Sequence, residues 1–150
     1  MSKANLRRAD SVDAGAIAKL MDAAYAIYAS RNLDLPDVSA GIEADIRDHV
    51  VWVAEADEAL VGAIVLSLGE DFVQVVNVAV APESTGTGLG RRLLALADDL
   101  APAEGKATLR LSTHKGIPEN IALYAHLGWV ESSREGAKVF MTKPVKRQIP

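Results

Sequence analysis

Three glycines at alternate positions stand between an apolar, strand-like stretch and an apolar, helix-like stretch in the middle of the chain. Residues 78–92 read VAVAPESTGTGLGRR. Because they lack a Cβ, Gly86, Gly88 and Gly90 let the backbone adopt positive φ angles and approach a ligand closely. The helix behind them would begin with unpaired N–H groups at its positive dipole end. This order of strand, glycine loop and helix predicts an anion site suited to a phosphate or pyrophosphate group.

Two common phosphate-binding loops do not fit this stretch. A P-loop ends in Gly-Lys-Ser/Thr, which is absent here, and the Rossmann fingerprint is G-x-G-x-x-G, whereas the glycines here follow G-x-G-x-G. The loop also follows three successive predicted strands instead of the first strand of a repeating βαβ unit. A flexible turn whose glycines only cap the helix is the simpler alternative.

The composition predicts one ordinary folded domain over residues 1–150, with residues 143–150 as a flexible tail. The chain is 49% hydrophobic and 24% charged and has no cysteine, which excludes disulfide scaffolds and thiolate chemistry. His49 and His126 lack metal-ligand spacing, so no metal site is expected. A net charge of −4 argues against nucleic acid as a partner. No apolar run approaches the roughly 20 residues of a membrane helix, and the first ten residues lack the apolar core of a signal peptide. We therefore expect a cytoplasmic protein without membrane contact.

Residue patterns predict the element order β-α-α-β-β-β-α-β-α-β-β. Apolar residues recur at helical spacing over residues 17–28, and residues 50–54, 60–68 and 72–80 are rich in strand-forming residues. Residues 108–112 and 138–142 are later strands. Ser39 is a candidate N-cap of the second helix, and Leu123 and Leu127 are expected to face the core from the last one. The order predicts an α/β or α+β fold, with a mixed sheet and helices on its faces.

A second motif lies at residues 118–130, which read PENIALYAHLGWV. Asn120 and Tyr124 are four residues apart and share one face of the predicted helix. Gly128 ends the helix, and Trp129 begins a strand. Taken alone, Tyr124 would more simply be a buried tyrosine with a satisfied hydroxyl.

Together the two motifs resemble those of the GCN5-related N-acetyltransferase (GNAT) superfamily. That family marks its coenzyme loop with Gln/Arg-x-x-Gly-x-Gly/Ala, which is similar to residues 85–90, and its later signature is matched by Asn120, Tyr124 and Gly128-Trp129. The resemblance extends over nearly the whole chain, because the element order also agrees. Thr85 departs from the usual Gln or Arg, so one pyrophosphate contact would be weaker or made by backbone alone, and Arg91 and Arg92 could compensate.

The resemblance implies a GNAT-like, mostly antiparallel sheet of about six or seven strands, flanked by about four helices, with a splayed central strand pair. It implies acetyl-CoA as cosubstrate, no metal, and direct transfer of the acetyl group to a primary amine. Val78 or its neighbour would donate an N–H to the thioester oxygen, and Tyr124 would protonate the departing thiolate as general acid. The residues implied to bind the cosubstrate are Val78, Ala79, Val80, Thr85, Gly86, Thr87, Gly88, Leu89, Gly90, Arg91, Asn120 and Tyr124.

The base that deprotonates the amine is the least determined part of this interpretation. Relatives often supply a glutamate or a water chain from the strand before the loop, but residues 74–77 read QVVN and hold no carboxylate. His114, expected just after the following strand, is the candidate base, although an exposed loop histidine fits the sequence equally well. Asn77 would orient the amine or a water. Carboxylates acting through water are further candidates: Glu55, Glu70 and Asp71.

The acceptor pocket is expected between the first two helices, with Tyr25, Tyr28 and Arg31 as candidate substrate-binding residues. The tyrosines would form an amphipathic wall, and Asp34 or Asp37 would attract a cationic amine. Two tyrosines packed on the core beside a charged loop explain the same residues.

The predicted function is therefore acetyl transfer to a primary amine, with a small molecule or peptide as acceptor. Two alternatives stay open: an enzyme that acetylates a protein N-terminus or lysine, and a non-catalytic CoA-binding sensor module. The apolar residues 50–68 and the late strands are candidates for a homodimer surface.

Overall fold

Seven β-strands and four α-helices run through the residues that the computed structural model describes, 3–33 and 40–145. Their order is the one predicted from the sequence. The strands are β1 (Asn5–Arg8), β2 (Val50–Ala56), β3 (Ala59–Leu68), β4 (Phe72–Val80), β5 (Thr108–His114), β6 (Val130–Glu135) and β7 (Lys138–Pro144). The helices are α1 (Ala14–Ala26), α2 (Ile42–Asp48), α3 (Leu89–Ala103) and α4 (Pro118–His126).

The strands form one mixed sheet in the order β1-β2-β3-β4-β5-β7-β6. The pairs β1/β2, β2/β3, β5/β7 and β6/β7 are antiparallel, whereas β4 and β5 are parallel. The register of β4 with β5 begins at Phe72↔Thr108 and ends at Val75↔Leu111, while β4 continues to Val80. The mixed, mostly antiparallel GNAT-like α/β sheet with four helices is therefore confirmed.

The chain divides into two compact units, the first made of Met1–Leu66 with Asn77–Leu94. In this unit α1 and α2 cover β2 and β3, and their apolar side chains form a closed core that includes Ile17, Met21, Ile42, Val53 and Val65. Val53, Ile17 and Met21 are completely buried. Side chains alternate between the two faces of β2, and apolar residues at helical spacing form one face of α1. The apolar face of the helix packs on the buried face of the strand, which explains why these segments adopt the predicted elements.

The entry into α1 is fixed by two aspartates. Either Asp10 or Ser11 could cap the first helix by sequence. Asp10 is the N-cap in the structure, and its side chain accepts a hydrogen bond from the N–H of Val12. The carboxylate of Asp13 accepts in return from the N–H of Asp10, which completes a capping box around the short 3₁₀ turn Ser11–Asp13. The helix proper starts only after this turn, at Ala14.

The predicted cap of α2 cannot be compared, because Ser39 lies outside the described residues. Gly41 is the N-cap residue in the structure, with a φ of +83°. Without a Cβ, this residue can hold the left-handed conformation that leads into Ile42.

The second unit comprises Ser67–Val76 with Ala95–Pro150. Its strands bury alternating residues, among them Leu109, Leu111, Val139 and Met141. Strand ends differ from the sequence prediction, and β6 runs from Val130 to Glu135 instead of from Trp129 to Ser132. Strand β5 runs on to His114, and β7 runs on to Pro144, where Lys143 and Pro144 pair with Leu109 and Thr108. Lys143 and Pro144 are therefore strand residues and not part of a tail.

The inward face of α4 also differs from the prediction. Leu123 is 40% exposed and Leu127 is only half-buried, whereas Tyr124 is the buried residue of the helix at 7% exposure. In the part of the chain that the structure describes, no helix combines the length and apolarity needed to cross a membrane.

Candidate active site

The glycine loop begins with a short 3₁₀ turn, Pro82–Ser84, directly after β4. The hydroxyl of Thr85 donates to the carbonyl of Pro82 at 2.8 Å, and the hydroxyl of Thr87 donates to the carbonyl of Ser84 at 2.6 Å. Both threonine side chains are thus turned back onto the preceding turn. The loop is held by its own residues and does not depend on a long side chain at position 85.

Gly86 and Gly88 have the positive φ angles that the glycine pattern predicts. Their φ angles are +80° and +82°, and a Cβ added at either position would meet no atom within 4 Å. Glycine is needed here because of backbone strain and not because of crowding. Gly90 differs from them because its φ angle is not positive. An added Cβ at Gly90 would lie at an ordinary contact distance of 3.8 Å from Val80 Cγ2.

A run of backbone N–H groups at this loop lacks acceptors. The N–H of Thr85 donates to Pro82 O at 3.4 Å, and the next backbone donor along the chain is Arg92, whose N–H donates to Gly88 O at 3.1 Å. Between them, no N–H from Gly86 to Arg91 donates to an acceptor among the described residues. Unpaired N–H groups at the start of a helix can donate hydrogen bonds to an anionic oxygen, and the positive end of the α3 dipole favours the negative charge.

The two arginines of the loop have different roles. The guanidinium Nη2 of Arg92 donates to the carbonyl of Ala4 at 2.9 Å. This hydrogen bond connects α3 to the residue that precedes β1. Arg91 is exposed and forms neither a hydrogen bond nor an ion pair with the described part of the chain. Both arginines keep their positive charge, because the partner of Arg92 is a neutral carbonyl, but only the side chain of Arg91 has no hydrogen bond in the described part of the chain.

Asn77 and Tyr25, predicted as orienting and substrate-binding residues, contact each other directly. The hydroxyl of Tyr25 donates to Asn77 Oδ1 at 3.1 Å, and Asn77 Nδ2 donates to the thioether sulfur of Met21 at 3.4 Å. Asn77 is 7% exposed. Burial, and secondarily the neighbouring Tyr28, raises the pKa of Tyr25, so its phenol is a proton donor at neutral pH.

Tyr28 and Arg31 continue this group toward solvent. The Tyr25 and Tyr28 rings meet edge to face with centroids 6.3 Å apart, and the Arg31 guanidinium lies 5.0 Å from the Tyr28 ring centroid. All three predicted substrate-binding residues thus lie together. Asp34 and Asp37, expected to attract a cationic amine, lie outside the described residues.

Tyr124 and Asn120 belong to the second unit, on α4. The ring of Tyr124 packs edge-on against Trp129 at a centroid distance of 6.2 Å, and the Tyr124 carbonyl accepts from the N–H of Trp129 at 3.0 Å. Asn120 lies one turn earlier and is half-buried. The Asn-Tyr-Gly-Trp motif therefore fixes how the helix joins β6.

His114 is the last residue of β5 and not a loop residue after it. Its Nδ1 accepts from the N–H of Gly116 at 2.9 Å. Nδ1 is therefore the nitrogen without a hydrogen, and in the neutral ring Nε2 carries the hydrogen. The lone pair that could accept a proton is the one on Nδ1, which Gly116 occupies.

The alternative carboxylates lie in an ion pair or at the surface. Glu55 is held by Arg7 at 3.4 Å, and Glu70 and Asp71 are exposed. Across residues 3–33 and 40–145, no group of three or more histidine, aspartate or glutamate side chains could hold a metal ion.

Met21 is a residue of this group that was not predicted from the sequence. Its helical spacing with Ile17 and Leu20 marks it only as a core residue, and nothing in the local sequence indicates that its sulfur contacts Asn77.

Comparison with known proteins identifies the family. The sequence model described as "Acetyltransferase (GNAT) domain" matches residues 47–131. The uncharacterized N-acetyltransferase YhfO of Bacillus subtilis (strain 168) is 29% identical over 137 residues, which cover 86% of this chain and 91% of that protein. An IAA acetyltransferase of Azospirillum brasilense is 30% identical over 127 residues, covering 79% of this chain and 81% of that protein.

The fold agrees with that of a solved structure. The PaiA N-acetyltransferase from Thermoplasma acidophilum, in complex with coenzyme A, superposes with a TM-score of 0.86 at 18% identity, over 95% of this chain and 99% of that chain. The family model covers more than half of the sequence, and the curated relatives are named acetyltransferases. The chain is an acyltransferase and belongs to the GNAT acetyltransferase family.

Proposed function

We propose that this enzyme transfers the acetyl group of acetyl-CoA to the primary amine of a small molecule by direct attack. The observation that carries the proposal is the run of N–H groups from Gly86 to Arg91 without acceptors in the described chain. A diphosphate offers several anionic oxygens to such a run, and the positive end of α3 favours the same charge. Main-chain donors at this loop explain how Thr85 can replace the usual Gln or Arg.

The resemblance to the family gives cosubstrate-binding roles to the end of β4 and to one residue of α4. The backbone of Val78, Ala79 and Val80 would pair with the amide groups of the pantetheine arm, since the register of β4 with β5 ends at Val75. Thr85 to Arg91 would hold the diphosphate, and Asn120 would contact the coenzyme. Each of these roles is proposed because the residue matches a position of the family motif.

The chemistry requires an oxyanion donor and a general acid. An N–H at Val78 is the proposed donor to the thioester oxygen, and one such donor contributes about 2.7–4 kcal/mol to transition-state stabilisation. Tyr124 is the proposed acid that protonates the leaving thiolate, because an ordinary phenol is protonated at neutral pH. Holding the amine beside the thioester would supply much of the remaining acceleration.

His114 is the proposed base, and Nδ1, which accepts from the N–H of Gly116 in the structure, is the nitrogen that would take the proton once it exchanges this contact for the amine or its water. An aliphatic amine has a pKa of about 10.4 and must lose a proton before it attacks. Asn77 is proposed to orient the amine or a water, because its polar amide is already held in place by Tyr25.

The acceptor is proposed to be a small amine bound by Tyr25, Tyr28 and Arg31. Two aromatic rings and a guanidinium in contact form a partly apolar surface with polar edges, which suits a compact organic amine.

A single domain over residues 1–150, a homodimer and a cytoplasmic location stay predictions from the sequence.

The experiment that tests this proposal mixes the purified full chain with acetyl-CoA and follows free thiol in the presence of a panel of acceptors. The panel contains an aliphatic monoamine, an aliphatic diamine, an arylethylamine and a tripeptide with a free N-terminus. We expect turnover with at least one small amine. Turnover with the tripeptide alone would favour a protein acceptor, and tight CoA binding without any turnover would favour a sensor module.

A further inference from the structure

The amide of Asn77 is held from two sides by one helix. Tyr25 Oη lies 3.1 Å from Oδ1, and Met21 Sδ lies 3.4 Å from Nδ2. Asn77 is 7% exposed and Met21 is fully buried. All three residues belong to the first compact unit.

The two contacts do not carry the same information about the orientation of the amide. A tyrosine hydroxyl can donate or accept, so Tyr25 could satisfy either end of the amide. A thioether sulfur can only accept. If the amide were flipped, Oδ1 would face the sulfur and that contact would contain no hydrogen. Met21, and not Tyr25, therefore determines which way the amide points.

The position of Met21 makes it a rigid reference point. Met21 and Tyr25 are one helical turn apart on α1, so both project from the same face of the helix. Met21 packs in the core that includes Ile17, Val51 and Val53. A side chain immobilised in this way can orient its neighbour without any ordering at the moment of reaction.

We infer that Met21 is a positioning residue for the acceptor amine, because its sulfur fixes the orientation of the Asn77 amide. With Nδ2 turned to Met21 and Oδ1 to Tyr25, the second N–H and the second lone pair of Asn77 are held at fixed angles. Neither is used by another residue of the described chain. This inference rests on the proposed function, since it needs Asn77 to contact the amine or its water.

A core residue without this role would behave differently on substitution. Met21→Leu keeps the side-chain volume and removes the acceptor, and such swaps are tolerated well in cores. Ile17→Leu is the matched control, because Ile17 is equally buried on α1, one turn earlier. The first variant tests the sulfur contact, and the second reproduces the packing change alone.

The first measurement reads the amide directly and needs no acceptor. In the uniformly ¹⁵N-labelled full chain, the side-chain N–H pair of Asn77 is assigned through its correlations to the Asn77 backbone. We expect Met21→Leu to shift this pair and to speed its exchange with water, whereas Ile17→Leu leaves both unchanged. An unaltered pair in Met21→Leu would overturn the inference.

The second measurement uses acetyl-CoA and whichever panel amine is turned over fastest. Loss of one weak hydrogen bond predicts an amine KM raised about fivefold in Met21→Leu, with the acetyl-CoA KM unchanged. In an Asn77→Ala background, whose folding is checked by thermal unfolding, Met21→Leu should have no further effect. An equal effect in both backgrounds would contradict action through Asn77.

The two measurements separate failure of the inference from failure of the proposed function. If the wild-type chain acetylates no amine, the proposed function and the acceptor role of Met21 both fail, while the spectrum still decides the amide orientation. If transfer occurs and the two leucine variants share one amine KM, the proposed function stands and the inference is wrong.

Discussion

Tyr124 is the side chain whose removal should separate chemistry from binding. Its ring is buried and packs against Trp129, so Tyr124→Phe keeps the packing and removes only the hydroxyl. If the hydroxyl protonates the thiolate, kcat should fall about 10²- to 10⁴-fold, while CoA affinity changes little. Steady-state thiol release and equilibrium CoA titration measure the two quantities.

Tyr28→Phe is the contrasting variant for this prediction. It removes a hydroxyl from the proposed acceptor surface, so we expect a change in the amine KM with kcat largely retained. A wild-type kcat in Tyr124→Phe would exclude this tyrosine as the general acid.

A second prediction at this scale concerns the ion pair of Arg7 with Asp13. Both guanidinium Nη atoms lie 2.9 Å from the carboxylate, which is nearly buried and also caps the turn before α1. The hydrogen bonds from Arg7 are the largest cause of a lowered pKa of Asp13, and they outweigh the opposing effect of burial. Asp13→Asn should lower the free energy of unfolding by about 1–3 kcal/mol near pH 7.

The pH dependence follows from the direction of that pKa. Because the folded-state pKa lies below the ordinary value of 3.8, the stabilisation is fully present above pH 3.8. It is lost as the pH falls through the folded-state pKa. Chemical unfolding of the wild type and Asp13→Asn should thus differ by a constant amount from pH 5 to 7 and converge in acid. In Asp48→Asn, which removes an exposed partner of Arg47, little change is expected at any pH.

The seating of α3 on β3 depends on a residue with no side chain. A Cβ at Gly62 would lie 3.0 Å from Leu93 Cδ1 and 3.1 Å from Leu89 Cδ2. Gly62→Ala should therefore push the first turns of α3 away and lower the unfolding free energy by about 1 kcal/mol. Since Leu89 follows Gly88, CoA affinity should fall as well.

Gly15→Ala is the opposite case and serves as the control. Gly15 lies on the exposed side of α1, where an added Cβ meets nothing within 4 Å. The substitution should raise the unfolding free energy by about 0.4–1 kcal/mol and leave CoA affinity unchanged. Denaturant unfolding of both variants compares the signs directly, and a stabilised Gly62→Ala would refute the packing argument.

The sequence predicted strands and helices well where neighbouring residues alone determine the backbone conformation. The acidic turn between β2 and β3 has positive φ at Asp57 and Glu58, as a tight hairpin requires, and the strands on each side are strongly apolar. The inward face of α4 was not predictable in this way. Leu123 and Tyr124 are adjacent, and only the tertiary contact of Tyr124 with Trp129 decides which of them is buried.

At the scale of the molecule, one part of the candidate site could be predicted from the sequence and another part could not. The glycine loop could be predicted because positive φ and a following helix are properties of one short segment. The contacts of Asn77 with Tyr25 and Met21 join residues 52 and 56 positions apart, and no local pattern specifies them. The different side-chain contacts of Arg91 and Arg92 could not be predicted either, because the partner of Arg92 is the carbonyl of Ala4, which is distant in sequence.

Binding of the cosubstrate should stabilise the whole fold through linkage. At a free CoA concentration of 100 times Kd, the folded state gains about 2.7 kcal/mol, which raises the unfolding midpoint of a chain of this size by roughly 5–11 °C. Gly88→Ala should reduce the shift, since a side chain at a φ of +82° costs about 1–2 kcal/mol and disturbs the N–H groups. Pantetheine, which lacks the diphosphate, should give almost no shift.

The control for this last prediction is Gly136→Ala. Gly136 has a φ of +59°, with open space around its added Cβ, and it lies between β6 and β7 outside the loop. The substitution imposes a similar backbone strain, so the unfolding midpoint without ligand should fall comparably, while the shift caused by CoA stays at its wild-type size. Thermal unfolding of the three chains with CoA, with pantetheine and without ligand makes the comparison. Equal CoA shifts in Gly88→Ala and Gly136→Ala would mean that the diphosphate is not held by the main chain of this loop, because strain at Gly88 would then act on folding alone.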